Sequence, residues 1–244
     1  MKSADYFPEH IAIIMDGNRR WARSRTLDVL QGHNQGAQTL KTITRYVAEQ
    51  GIGWLTVFAF SSENWKRSER EVGALLRLMK RFLMNETDQL VRENVRLRII
   101  GDRTVFDSEL QGLFEAVERN TQNNTGLNLN IAVNYGGRAD IARAACKMAH
   151  DIAEADIPDG HIAAEDMLKS YLDTSELPDI DLLIRTGGEM RVSNFLLWEL
   201  SYAELYFTST CWPEFSASDI DAALSEFSRR NRRFGGDQTK TSAG

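Results

Sequence analysis

Short apolar runs alternate along the chain with longer stretches in which apolar residues recur every three or four positions. That alternation is the pattern of an α/β domain built on a mostly parallel sheet. Six runs read as strands, at residues 11–15, 54–60, 96–100, 127–133, 181–184 and 204–207. Several are unbroken apolar segments, as strands covered on both faces must be. Between them, Ala37, Leu40, Ile43 and Val47 form one helical stripe, and Val72, Leu75, Leu76, Met79, Phe82 and Leu83 a second. Ile141, Ala145, Met148, Ala149 and Ile152 form a third, and all three stripes are expected to face the sheet. Ser68 and Glu71 have the spacing of a capping box at the start of the second helix. No internal repeat and no Pro/Gly/Ser-rich linker interrupts the pattern. The expectation is one domain over residues 1–236 followed by a frayed polar tail at 237–244.

Composition narrows the class. A chain of 244 residues with 42% hydrophobic and 26% charged residues can bury a core, and 17 Gly with only 4 Pro exclude collagen-like or Pro-rich chains. The formal charge of −6 argues against general affinity for nucleic acid or anionic lipid, while leaving room for a local basic pocket. Cys146 and Cys211 have no CxxC spacing and form no disulfide framework. The N-terminus, with Lys2, Asp5, Pro8 and Glu9, has no apolar export segment, and no run approaches the ~20 apolar residues of a membrane span. A cytoplasmic protein is expected.

In open α/β sheets ligands gather beyond the carboxyl ends of the strands. After the first run comes Asp16-Gly17-Asn18-Arg19-Arg20-Trp21, where Gly17 permits close backbone approach and the following amides and arginines suit an anion. The plain alternative is a strand-to-helix turn with solvated arginines. The second run leads into Ser61-Ser62-Glu63-Asn64-Trp65-Lys66-Arg67, which sets Asn64 and Arg67 near a helix N-terminus, although turn-capping serines and a packed Trp65 would read the same way. The fifth run ends in Arg185-Thr186-Gly187-Gly188-Glu189-Met190-Arg191-Val192-Ser193-Asn194. Two arginines six residues apart, with Ser193, can clamp a diphosphate through paired charge-assisted hydrogen bonds. A carboxylate among so many cations points to a metal, so Asp16, with Glu204 as a second contributor, is the candidate to hold Mg²⁺ against a leaving diphosphate; the alternative makes Asp16 a helix N-cap. There is neither a Walker A sequence nor GxGxxG.

These segments, HIAIIMDGNRRWA, GHNQG at 32–36, FAFSSENWKR, NYGGR at 134–138, DLLIRTGGEMRVSNFLLWELSYAELYF, WPEF at 212–215 and RRFGG at 232–236, resemble the cis-prenyltransferases, most closely the bacterial undecaprenyl diphosphate synthases. The resemblance spans nearly the whole chain. It implies a homodimeric α/β fold with a six-stranded, mainly parallel sheet and an apolar tunnel between sheet and helices. It also implies Mg²⁺-dependent condensation of isopentenyl diphosphate with an allylic diphosphate, farnesyl or geranyl. By the same resemblance, Asp16 serves metal and catalysis, the amides from Gly17 through Asn18 and Arg19 to Arg20 take the allylic diphosphate, and Arg20, His33 and Arg67 support it. Arg185, Arg191 and Ser193 match the isopentenyl diphosphate site, and Ser61, Ser62, Glu63 and Val192 are further substrate-binding positions. Glu204 matches a second metal-linked carboxylate, Asn64 the position assigned to proton removal, and Trp21 and Trp65 the site lining. Arg233-Phe234-Gly235 matches a motif that completes the neighbouring subunit's site.

The chain also departs from the pattern. Val29 stands where the bacterial synthases usually carry an arginine for the allylic diphosphate, Arg19 replaces a usual Gly, and Thr26 another. Arg19 is expected to offset Val29 in part. Non-catalytic partner-binding relatives share the fold but usually lack parts of this polar constellation. Trans-prenyltransferases use aspartate-rich DDxxD segments, and no adjacent Asp-Asp pair occurs here. A Mg²⁺-dependent phosphohydrolase would share the anion loops without lengthening a chain. Small Ala59 is expected to leave room in the tunnel, and membrane contact is expected only as transient product delivery.

Overall fold

The computed structural model describes residues 7–155 and 164–230. The expected tail at 237–244 and the motif at 232–236 lie outside the described residues. The strands are β1 (His10–Ile14), β2 (Trp54–Ser61), β3 (Arg96–Ile100), β4 (Asn128–Tyr135), β5 (Leu182–Arg185) and β6 (Glu204–Phe207). The helices are α1 (Asn18–Ser24), α2 (Val29–Glu49), α3 (Glu69–Arg92), α4 (Ser108–Thr121), α5 (Gly137–Ala155), α6 (Ala164–Tyr171) and α7 (Ala217–Arg229), with short 3₁₀ turns at Ser62–Lys66 and Trp212–Glu214.

All six strands pair in parallel, in the order β3-β4-β2-β1-β5-β6. The chain therefore starts in the middle of its sheet and builds outward on both sides. Alternate residues of each strand serve opposite faces. Ile11 and Ile13 join Leu182 and Ile184, with Leu129 and Ile131, in the larger core. Ala12, Ile14, Leu183 and Ala132 point into a smaller core on the other face, with Tyr135, Phe195 and Leu196. Burial on both sides explains the unbroken apolar runs in the sequence.

Two differences from the expected elements matter. β4 continues to Tyr135 because Asn134, at φ 48, leaves the ladder and bonds elsewhere: its amide donates to the Asp102 carbonyl at 2.9 Å and its oxygen accepts from Trp65 Nε1 at 2.9 Å. At the start of α3 only half of the capping box forms. Ser68 Oγ accepts the Glu71 amide at 3.4 Å, but the Glu71 carboxylate turns to Arg67 at 3.1 Å. Val72, Leu83 and Leu90 are buried, whereas Leu75, Leu76, Met79 and Phe82 between them stay only partly buried, so the middle of the stripe is not closed against the core. Among the described residues no helix is long and apolar enough to cross a membrane.

Candidate functional site

β1 and β5 run side by side and place Ile14 opposite Arg185, so the loops after these strands begin together. Asp16 Oδ2 accepts from Arg185 Nη2 at 2.9 Å, and Thr186 Oγ1 both accepts the Asp16 amide at 2.9 Å and donates to its carbonyl at 2.7 Å. Gly17, at φ 102, is the residue that caps α1; Asp16 instead accepts the Gly17 amide through Oδ1 at 2.6 Å. A Cβ at Gly17 would meet Cys211 at 2.9 Å, so this tight turn tolerates only glycine. Asp16 is thus fixed by backbone and by a guanidinium that is only 4% exposed, while its own side chain remains a third exposed.

Arg185 also organises its own loop. Nη1 donates to the Arg191 carbonyl and to Ser193 Oγ, the latter at 2.7 Å. Gly187 and Gly188 turn the chain at φ 80 and 82, and Ser193 and Asn194 also lie in the left-handed region, at φ 48 and 62. Asn194 stitches three segments together: Nδ2 donates to Glu63 Oε1 at 3.0 Å, Oδ1 accepts the Arg138 amide at 2.9 Å, and its carbonyl accepts the Gly137 amide at 2.7 Å. The Asn194 bond helps to hold the Glu63 carboxyl below its ordinary range against the opposing effect of burial, so Glu63 is ionised.

The third loop is positioned by an irregularity in β2. Between Phe58 and Phe60 the register with β4 slips by one, and Ala59 is the extra residue. Such a bulge re-aims the chain at a strand end. Asn64 then accepts the Ser61 amide through Oδ1 at 3.2 Å. Across from it, α2 brings His33 to the same mouth. Burial, followed by the charge of Arg67, pushes the His33 imidazole below its ordinary value, with Glu71 opposing.

These groups surround a cavity of about 690 Å³ with two chemically distinct ends. Its mouth carries Asp16, Asn18, His33, Ser61, Glu63, Asn64, Arg67, Arg185, Arg191 and Ser193. Its interior is apolar, walled by Ala59, Leu75, Leu78, Met79 and Phe82 and reaching Ile99 and Ile131 on the far strands. Four buried polar atoms without a protein partner, Asn18 Oδ1, Trp21 Nε1, His33 Nε2 and Arg185 Nε, belong to residues of this region. Buried atoms of that kind are costly unless a ligand or water satisfies them.

Other expected site residues lie off the cavity wall. Arg20 stands beside Asp16 at 3.7 Å and bridges to Glu189 at 3.8 Å; Glu189 in turn holds Arg191 at 2.5 Å. Arg19 is half exposed, 3.9 Å from Glu71. Trp21 lies under the Arg25 guanidinium, 4.7 Å from its ring centre. Trp65 packs against Phe60 and Phe106 at 5.2 and 5.9 Å, Val192 against the smaller core, and Ser62 near Gly136. Glu204 requires a correction. It opens β6 opposite Leu182, three residues toward the other end of the sheet from the Arg185–Phe207 pair, and binds Arg230 at 2.9 Å. It does not share a metal with Asp16 inside one chain. Among the described residues no three acidic, histidine or cysteine side chains gather as metal ligands. One carboxylate at a phosphate-binding mouth nevertheless fits Mg²⁺, which uses one or two carboxylates and completes its shell with water and substrate phosphate. Glu71, Glu189, Thr186 and Asn194 complete the site although the motifs did not single them out.

The family described as "Putative undecaprenyl diphosphate synthase" matches residues 14–235. The chain belongs to this prenyltransferase family. An isoprenyl transferase of Helicobacter hepaticus is 46% identical over 94% of this chain and 98% of its own length. One of Brucella suis is 48% identical over 97% and 92%. Among solved structures, a lavandulyl diphosphate synthase from Lavandula x intermedia, in complex with dimethylallyl diphosphate, superposes with a TM-score of 0.90 at 38% identity, covering 94% of this chain and 98% of that one. A probable undecaprenyl diphosphate synthase from Campylobacter jejuni gives 0.77 at 33%, covering 94% and 99%. The cis-prenyltransferase resemblance and the single α/β domain are upheld, and the sheet is wholly rather than mainly parallel.

Proposed function

We propose that this prenyltransferase condenses isopentenyl diphosphate with an allylic diphosphate, farnesyl or geranyl, and releases a cis-polyprenyl diphosphate of the undecaprenyl lipid-carrier type. The observation that carries the reading is one cavity with a cationic mouth and an apolar interior, which suits a molecule with a diphosphate head and a hydrocarbon tail. The dimethylallyl diphosphate bound by the Lavandula relative supports an allylic diphosphate here.

In this reading Arg67, His33 and the amides after Gly17 receive the allylic diphosphate, and Arg185, Arg191 and Ser193 receive isopentenyl diphosphate. Asp16, with substrate phosphate, would hold Mg²⁺, which when bound would neutralise charge on the departing diphosphate. The cations of the mouth stabilise the same charge as the allylic carbon–oxygen bond breaks. The alkene attacks that carbon, and the two diphosphates hold the substrates in a fixed relative orientation, so that loss of the proton from the isopentenyl unit leaves the new double bond cis by positioning. Asn64 is too weak a base to take the departing proton alone, so it orients the substrate while a phosphate oxygen or water accepts the proton. The apolar tail advances along α3. The assembly is a homodimer in the cytoplasm, and contact with membrane is limited to product delivery.

The test is incubation with Mg²⁺, labelled isopentenyl diphosphate and allylic starters of several lengths, followed by chromatography of the lipids. Elongated products are expected, with turnover lowered roughly 10³-fold in Asp16→Ala. Release of phosphate without elongation would identify a phosphohydrolase instead, and no turnover by the purified chain a partner-binding subunit.

A further inference from the structure

Three cationic or protonatable side chains from three different segments converge on a single carboxylate oxygen. Glu71 Oε1 lies 3.1 Å from Arg67 Nη1, 3.7 Å from His33 Nε2 and 3.9 Å from Arg19 Nε. Arg67 precedes α3, His33 belongs to α2 and Arg19 to α1. Glu71 itself sits behind them. Its side chain is 12% exposed and does not line the cavity, whereas Arg67 and His33 do. It has also given up the return bond of the capping box to face these groups. At 3.7 Å from Glu71, His33 Nε2 is buried and makes no hydrogen bond within the protein.

We propose that Glu71 is a positioning residue for the allylic diphosphate: it gathers Arg67, His33 and Arg19 into one anion cradle. The inference rests on the functional reading above. Two guanidinium groups brought to one point repel each other unless an anion lies between them. A carboxylate behind them lets them stand together before the substrate arrives, so less ordering is left for the binding step. Arg19 reaches the cradle only by its contact with Glu71, which makes the two residues one unit. The Arg185 loop has its own anion, Asp16, so the isopentenyl diphosphate side does not depend on Glu71.

Removing Glu71 also removes a negative charge near a site for anions, and that alone would strengthen binding. The two effects have opposite signs, which makes the experiment decisive. Inorganic diphosphate and farnesyl diphosphate are titrated calorimetrically into wild type, Glu71→Gln, Arg19→Gln and the double variant, and both Michaelis constants are measured. The expected result for Glu71→Gln is about tenfold weaker diphosphate binding, about 1.4 kcal/mol, with the allylic KM raised alike and the isopentenyl diphosphate KM moved less than twofold. Arg19→Gln weakens binding in wild type and adds little in the Glu71→Gln background. Unchanged or tighter binding in Glu71→Gln overturns the proposal, as does an equal rise in both Michaelis constants. Additive losses overturn the link to Arg19, which is exposed enough for its variant to fold whatever Glu71→Gln does. If wild type binds neither probe, the functional reading falls first and the inference with it.

Discussion

Thr26 closes α1 with a Schellman turn: its amide bonds to the Arg23 carbonyl at 3.1 Å and the Leu27 amide to the Ala22 carbonyl at 2.9 Å. The residue after such a cap takes the left-handed conformation, and Thr26 has φ 57. Glycine adopts that conformation freely, but a β-branched side chain pays for it in steric strain. The departure at Thr26, visible in the sequence as an unusual residue, therefore has a physical cost on an exposed turn. Thr26→Gly is expected to stabilise the fold by about 0.5–1 kcal/mol, the strain relieved less the extra chain entropy of glycine. Urea unfolding measures it, and a stability equal to or below wild type would show that the turn is unstrained. Elsewhere a single residue type revealed a position but not its reason. Gly32 and Gly36 were visible as a pair one helical turn apart. Only the structure shows that a Cβ on either would meet Asn18, at 2.2 Å from its carbonyl and 2.4 Å from its Oδ1.

At the scale of elements, the space between α3 and the sheet determines what the protein holds. Ala59 sits at the β2 bulge on the wall of the cavity that Leu75, Leu78, Met79 and Phe82 of α3 also line. Ala59→Leu adds a branched side chain to that wall, so the growing hydrocarbon meets a barrier sooner and the product distribution shifts to shorter chains. Lipid chromatography reads this directly, and an unaltered distribution would remove Ala59 from the path of the chain. The strands were legible to within a residue or two because burial on both faces writes an unbroken apolar run. The cavity was not. The stripe Val72, Leu75, Leu76, Met79, Phe82 and Leu83 reads the same whether it touches the sheet or lines a void, since periodicity reports which side is apolar and not how far away the opposing wall lies. For the same reason the spacing of Ser68 and Glu71 predicted a reciprocal cap. Local pattern favoured the backbone bond, and Arg67 beside the helix start, with His33 and Arg19 from other helices, claimed the carboxylate instead. Glu204 differs: it opens its run, and in a parallel sheet the first residue of a strand lies at the end away from the loops that carry Asp16 and Arg185, so its position in the run already separated it from them.

For the molecule as a whole, the buried polar groups set opposing dependences on pH. His10 is fully buried, with Nδ1 donating to the Pro178 carbonyl at 2.8 Å and Nε2 2.7 Å from Thr56 Oγ1, which also accepts from Asn130 at 3.1 Å. The carbonyl fixes the proton on Nδ1, so Nε2 accepts and the ring is neutral. Burial pushes its pKa down to about 4. Unfolded chains take up the proton near 6.5 and the folded chain does not, so stability from this site is complete above that pH and is lost as pH falls toward 4, about 3 kcal/mol in all. Asp140 and Glu199 act in reverse. Both are almost fully buried, and burial raises both. Their contribution is complete below the ordinary carboxylate range and is lost as pH rises through their folded values. Below pH 6.5 the rise from His10 meets the decline that begins in the ordinary carboxylate range, so the two slopes oppose each other in the wild type. Glu199→Gln keeps the Thr174 contact in neutral form, so its stability is expected to rise more steeply with pH than that of wild type across this window. His10→Gln is expected to lose the rise and show the carboxylates' decline. Urea unfolding at intervals from pH 4.5 to 7.5 separates them, and two variants running parallel to wild type would mean that neither group changes protonation on unfolding.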